Sequence, residues 1–268
     1  MATENLGFEQ QTVTWKLATV HLVVHTLVLF IAFTLVKLGG PAAPILGAGA
    51  VALMVFSYWY VVGKYENRDV SELKLGILAP RTRFVFLIIL IGVIAVTLAT
   101  LFVKPHFDLK DLGSSQSRSS EELQFVFQYV FLVPIFEEIV FRGVVSRWLV
   151  GHFSVSSSMV IQSLLFVGMH SLNAPFSSGD PLLTAAFFVF CFFGGISFFL
   201  LQYATGSLLF PIAAHVAWNT GAYSVSKLSD LAYNGQTYVE LHLYVGAVFW
   251  TVLAIVLWTW VLKKHPSV

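Results

Sequence analysis

The run Pro134-Ile135-Phe136-Glu137-Glu138-Ile139-Val140-Phe141-Arg142-Gly143 sets two adjacent carboxylates and a guanidinium inside apolar sequence. Hydrolysis of an amide without a covalent intermediate needs a base to take a proton from water, a group to orient that water, and donors for the developing oxyanion. The sequence offers a candidate for each. Glu137 can be the base and His170 the partner that orients the water. His215 and Asn219, one helical turn apart, can point donors at one carbonyl oxygen. Glu138 and Arg142 are i and i+4 and can pair on one face. Glu137 lies about 100° round the helix from Glu138, free for another task.

Each set also has a plainer reading. Glu137, Glu138 and Arg142 could be a buried ion-pair knot holding helices together, although such a knot does not call for the two downstream pairs, Phe166 with His170 and His215 with Asn219. His170, near a span end, could bond a loop carbonyl, and His215 with Asn219 could be an interhelical hydrogen-bond pair. His21 and His25, also i and i+4, have no acidic or third imidazole partner close in sequence for a metal face. The serines from Ser154 to Ser158 start a helix and fit capping better than nucleophilic attack. The single cysteine, Cys191, excludes an intrachain disulfide framework and a thiolate metal cluster, and fits packing in a Phe-rich span.

The elements that must position these groups are helices in a membrane. Of 268 residues, 57% are hydrophobic and 11% charged, against about a quarter charged in a soluble domain. A formal net charge of +1 implies no attraction to nucleic acid. The expected fold is therefore all-α, a polytopic integral membrane bundle of about eight transmembrane helices, each of about twenty apolar residues. Spans are placed at 16–37, 42–62, 84–103, 121–150, 155–172, 182–203, 208–225 and 241–262. Pro134 should interrupt the fourth just before Glu137. The loop 104–120, with Asp108, Lys110, Asp111 and a Ser-rich tract, should be solvated.

Four segments follow: a polar cytoplasmic N-terminus at 1–15, N-terminal helices and loops at 16–120, motif-bearing helices at 121–225, and a C-terminal loop with the last span at 226–268. The run after Lys16 is too long for a signal peptide and reads as a true span. Lys16, Lys64, Arg68, Lys74, Arg81, Arg83, Arg147, Lys263 and Lys264 outweigh Lys37, Lys104, Lys110, Arg118 and Lys227 when both termini are cytoplasmic. A charge at the bilayer centre costs at least ~2.5–3.5 kcal/mol, so Glu137, Glu138 and Arg142 should face the bundle interior.

Glu137-Glu138-x-x-x-Arg142, Phe166-x-x-x-His170 and His215-x-x-x-Asn219, in that order and each on an expected span, resemble the three-motif signature of the CPBP family, the CAAX proteases and bacteriocin-processing (ABI) enzymes. The resemblance covers about 121–225, and the segment from Leu75 to Arg83 is also similar. It implies an eight-helix intramembrane endopeptidase, with Glu137 and His170 activating water, His215 and Asn219 holding the oxyanion, and Glu138, Arg142 and Phe166 in support. The implied partners are the lipid bilayer and a membrane-associated peptide or protein, such as a CAAX-type tail or a small peptide. The implied location is the cell membrane in a prokaryote. The family is often labelled metalloprotease, and Glu137, His170 and His215 resemble zinc ligands. Without a His-Glu-x-x-His motif the residues do not demand zinc, so a metal-free reaction is the expectation.

Two other classes remain: a proton- or ion-coupled transporter with Glu137 and Arg142 as relay, and a catalytically silent scaffold or immunity relative. Transporters of that kind usually carry repeated halves with paired broken spans, whereas here the polar residues cluster in one half. Filled motif positions speak against a silent relative.

Overall fold

The computed structural model describes residues 15–38, 42, 45–50, 52–53, 56–57, 60, 93–94, 125–171, 180–232 and 236–264. Among them every regular element is helical and no strand occurs. The main elements are α1 (Trp15–Leu38), α2 (125–150), α3 (Val155–His170), α4 (Pro181–Thr205), α5 (Leu209–Ala232) and α6 (Gln236–Lys264). Two stretches, Pro181–Thr205 and Glu240–Leu262, are long and apolar enough to cross a membrane. The expectations for residues 1–14 and 104–120, and for most of the spans at 42–62 and 84–103, fall outside the described residues.

The local reasons for the boundaries are readable. Ser154 caps α3, its hydroxyl accepting the Ser157 backbone N–H at 3.1 Å, as the serine run suggests. Asp180 caps α4 through the Leu182 N–H at 2.8 Å, with Pro181 just inside the helix. Gly206 closes α4 at φ 68°, a left-handed geometry that glycine adopts without a Cβ clash. One expectation is corrected here. The loop placed from residue 226 begins later, because α5 continues to Ala232 and α6 starts at Gln236. Hydropathy falls after Val225, but a helix does not end where the chain turns polar; Ser226-Lys227-Leu228 carries no breaker.

Helix α2 changes winding twice. Val126–Leu132 and Ile139–Val145 are π-wound, with Val133–Glu138 between them in ordinary α winding. Val133 N–H reaches back five residues to Gln128 O, and Ser146 N–H likewise to Phe141 O, a carbonyl that the Ser146 hydroxyl also contacts at 2.7 Å. Pro134 follows the first wide turn directly. The expected irregularity is thus a change of winding, and it brackets the two glutamates.

Helices α4 and α6 share the largest core, in which Phe198, Phe199, Leu200, Trp218, Trp250 and Leu257 are buried. Helix α3 lies close against α4 at Gly195, where a Cβ would come within 3.1–3.3 Å of Ser163 atoms. A small residue at such a contact lets two helices approach without loss of packing elsewhere.

Candidate active site

Arg142 and Glu138 are both 0% exposed, and Nη1 of the arginine donates to Oε1 of Glu138 at 3.0 Å. The second arm, Nη2, donates to the Gly195 carbonyl of α4 at 3.2 Å. Gln162 of α3 donates to the same carbonyl at 2.9 Å. The guanidinium carbon lies 4.6 Å from the ring centroid of Phe166 and 5.1 Å from that of Phe198, a cation–π setting in a desolvated place. One cation therefore ties α2 to α4, and through Gln162 to α3. Spacing alone identifies the Glu138–Arg142 pair. Gln162 and Gly195 were missed, although Gln162, Phe166 and His170 recur at i, i+4 and i+8 along α3.

Removing one partner of such a buried pair leaves an uncompensated charge. Glu138→Gln is expected to lower stability by about 3–5 kcal/mol and to reduce yield. Thermal unfolding in detergent measures this. An inactive Glu138→Gln protein of unchanged stability would reverse the roles assigned to the two glutamates.

His215, from α5, joins the pair. Its Nδ1 is 2.8 Å from Glu138 Oε1, an oxygen that already accepts from Arg142, so the imidazole nitrogen is the donor. Its other nitrogen, Nε2, stands 3.7 Å from Oε2 of Glu137. His170 makes a parallel arrangement. Its Nδ1 donates to the Phe166 carbonyl at 2.9 Å, since a carbonyl only accepts, and its Nε2 stands 3.8 Å from Oε1 of Glu137. The motif Phe166-x-x-x-His170 thus fixes an imidazole by the backbone of its own helix, while the Phe166 ring covers Arg142.

Glu137 is 6% exposed and lies outside the Arg142–Glu138 pair. Its Oε2 is buried and accepts no hydrogen bond among the described residues. Two imidazole Nε2 atoms face its two oxygens at separations too wide for direct hydrogen bonds and within reach of a bridging water. In the neutral tautomers fixed by the Nδ1 contacts, both Nε2 atoms are acceptors. Carboxylate and imidazoles together can therefore accept protons from one small donor held between them.

Asn219 sits one turn beyond His215, where its Nδ2 donates to the Tyr129 carbonyl of α2 at 3.0 Å. Glu137, His170, His215 and Asn219 all line one cavity of about 410 Å³. All four candidate residues are thus brought together, and the bonds of His215 and Asn219 within the protein go to different partners. Cys191, buried, borders the same cavity. So do Glu240 and His242 at the start of the last apolar stretch, which sequence reasoning did not single out. His21 and His25 are elsewhere on α1, buried and stacked at 5.4 Å, with His25 Nδ1 on the His21 carbonyl.

Glu137, His170 and His215 are of the types that bind zinc, at about 2.0–2.2 Å in tetrahedral sites. As placed they do not form such a cage. Among the described residues no group of three His, Cys, Asp or Glu side chains is gathered so as to hold a metal ion.

Residues 119–221, which carry all three motifs, match the family model described as Type II CAAX prenyl endopeptidase Rce1-like. No curated protein and no solved structure matches the chain.

Proposed function

We propose, from the match of residues 119–221 to the Type II CAAX prenyl endopeptidase Rce1-like family model, that the protein is an intramembrane endopeptidase that cleaves a membrane-associated peptide or protein with water. The observation that carries this reading is the convergence of two imidazole Nε2 atoms on one buried carboxylate, at 3.7 and 3.8 Å, in a cavity that also holds Asn219. Glu137 takes a proton from water as that water attacks the scissile carbonyl. His170 accepts the water's other hydrogen and orients it. The carbonyl oxygen becomes an oxyanion near Asn219 and His215.

His215 can donate to that oxygen only when Nε2 carries a proton. The Glu138 carboxylate on Nδ1 holds the ring so that Nε2 faces the cavity, as a carboxylate orients the imidazole in hydrolases with a catalytic triad. The proton held by Glu137 then passes to the leaving amine. The proposed substrates are CAAX-type C-terminal tails, which the family match favours, or small membrane peptides. In this reading the protein is a multi-pass membrane protein with both termini cytoplasmic, located in the cell membrane if the source is a prokaryote.

The test compares peptide termini in host membranes containing wild type or Glu137→Gln at matched levels. New C-termini that depend on Glu137 are expected, and they should persist after prolonged chelation. Loss on chelation, restored by added zinc, would replace the metal-free reaction. Identical termini with both proteins intact would favour a transporter or a scaffold.

A further inference from the structure

The cavity face of α4 carries Phe187, Phe190, Gly194 and Phe198, so that a ridge of aromatic rings is broken at one place. That break is real space. A Cβ built on Gly194 would have as its nearest heavy atom Trp250 Cγ, at 4.0 Å, ordinary van der Waals distance. The notch has the Trp250 indole as its floor, and Trp218 borders the same cavity beside Asn219. Trp218 is itself held in place, stacked on His242 at 4.7 Å and in contact with Phe190 at 5.3 Å.

A second observation points to an occupant. Trp250 is 1% exposed, and its indole Nε1 is buried without a hydrogen-bond partner among the described residues. Nε1 belongs to the same five-membered ring as Cγ, the atom that faces Gly194. Buried Trp N–H groups usually find an acceptor. A peptide whose side chain fills the notch would bring main-chain carbonyls to that wall.

We infer that the notch at Gly194 is the substrate subsite for one bulky apolar side chain flanking the scissile bond, and that Gly194 sets the largest side chain admitted. The inference rests on the protease reading above. It needs no change in the catalytic groups: Glu137, His170 and His215 stand on other helices, and the notch opens onto their cavity. Gly194→Ala adds one methyl at ordinary van der Waals distance from Trp250 without a clash, and alanine also favours the helix over glycine. Gly194→Leu would fill the notch. Phe190→Ala would widen it.

The experiment profiles new peptide termini in host membranes holding wild type, Gly194→Ala, Gly194→Leu, Phe190→Ala or Glu137→Gln, at matched levels. Wild type is expected to favour large apolar residues at one position beside the cut. Gly194→Ala should shift that position toward smaller side chains and Phe190→Ala toward larger ones, each changing the large-to-small ratio by about tenfold or more, the discrimination that hydrophobic pockets reach for one or two carbons. Gly194→Leu should extend the shift, and Gly194→Ala alone decides the matter if the leucine variant does not accumulate. Glu137-dependent cuts with an unchanged residue profile in Gly194→Ala and Phe190→Ala would overturn the subsite and leave the protease reading standing. Absence of any Glu137-dependent cut would overturn both.

Discussion

Glu137→Gln is expected to lower kcat/KM by on the order of 10²–10⁴-fold, the range a general base supplies, while the thermal stability of the purified protein stays unchanged. The two halves of this expectation have one structural cause. Glu137 is buried, yet its oxygens stand 3.7 and 3.8 Å from the nearest imidazole nitrogens, and Oε2 accepts no hydrogen bond among the described residues. An amide of the same volume therefore breaks no bond and opens no cavity. What it loses is the capacity to accept a proton from water. Hydrolysis by the detergent-solubilised protein, measured beside its unfolding temperature, separates the outcomes. Turnover within a few-fold of wild type would remove Glu137 from the base role; equal losses of stability and activity would make it a structural residue.

His215→Ala should be the next most damaging change, and of a different kind. Deleting a single oxyanion donor costs about 10²–10³ in turnover. The imidazole also holds packing together: Nδ1 donates to Glu138, and the ring stacks on Phe198 at 4.9 Å. Removing it leaves a void beside Phe198 and strips one donor from a fully buried carboxylate, so a fall in unfolding temperature is expected along with the lost turnover. The measurement is kcat per folded molecule, with the folded fraction taken from size-exclusion chromatography. A variant that unfolds more easily but turns over normally per folded molecule would place His215 in the scaffold alone.

The two glutamates stand in different settings. Glu138 is anchored through one oxygen, Oε1, which accepts from both Arg142 and His215. Glu137, its neighbour in sequence, points where both Nε2 atoms converge. The rotation of about 100° between them comes from ordinary α winding within Val133–Glu138, and the π-wound stretches on either side set that short segment apart from the rest of α2.

The contacts legible in the sequence are those that helix geometry dictates locally. Glu138 with Arg142 and Phe166 with His170 are four residues apart, and four residues apart on a helix means adjacent on one face, so the salt bridge and the imidazole-to-carbonyl contact could be anticipated from spacing. Apolar composition indicated helices, and the serine run indicated the cap at Ser154. The sequence by itself thus determined the helical class and the two local contacts, Glu138 with Arg142 and His170 with the Phe166 carbonyl.

Only the tertiary structure decided which pairs meet. The contact of His215 with Glu138 spans 77 residues, that of Asn219 with Tyr129 spans 90, and Gly195 lends its carbonyl to Arg142 from 53 residues away. No periodicity encodes these contacts, because they depend on how close two helices pack, and that closeness is set at α3 and α4 by a missing side chain at Gly195. The cavity has the same origin. Gly194 looks in sequence like any small residue in a span, and becomes a notch because the Trp250 ring, brought in by another helix, faces it at van der Waals distance within the cavity that Trp218 also lines.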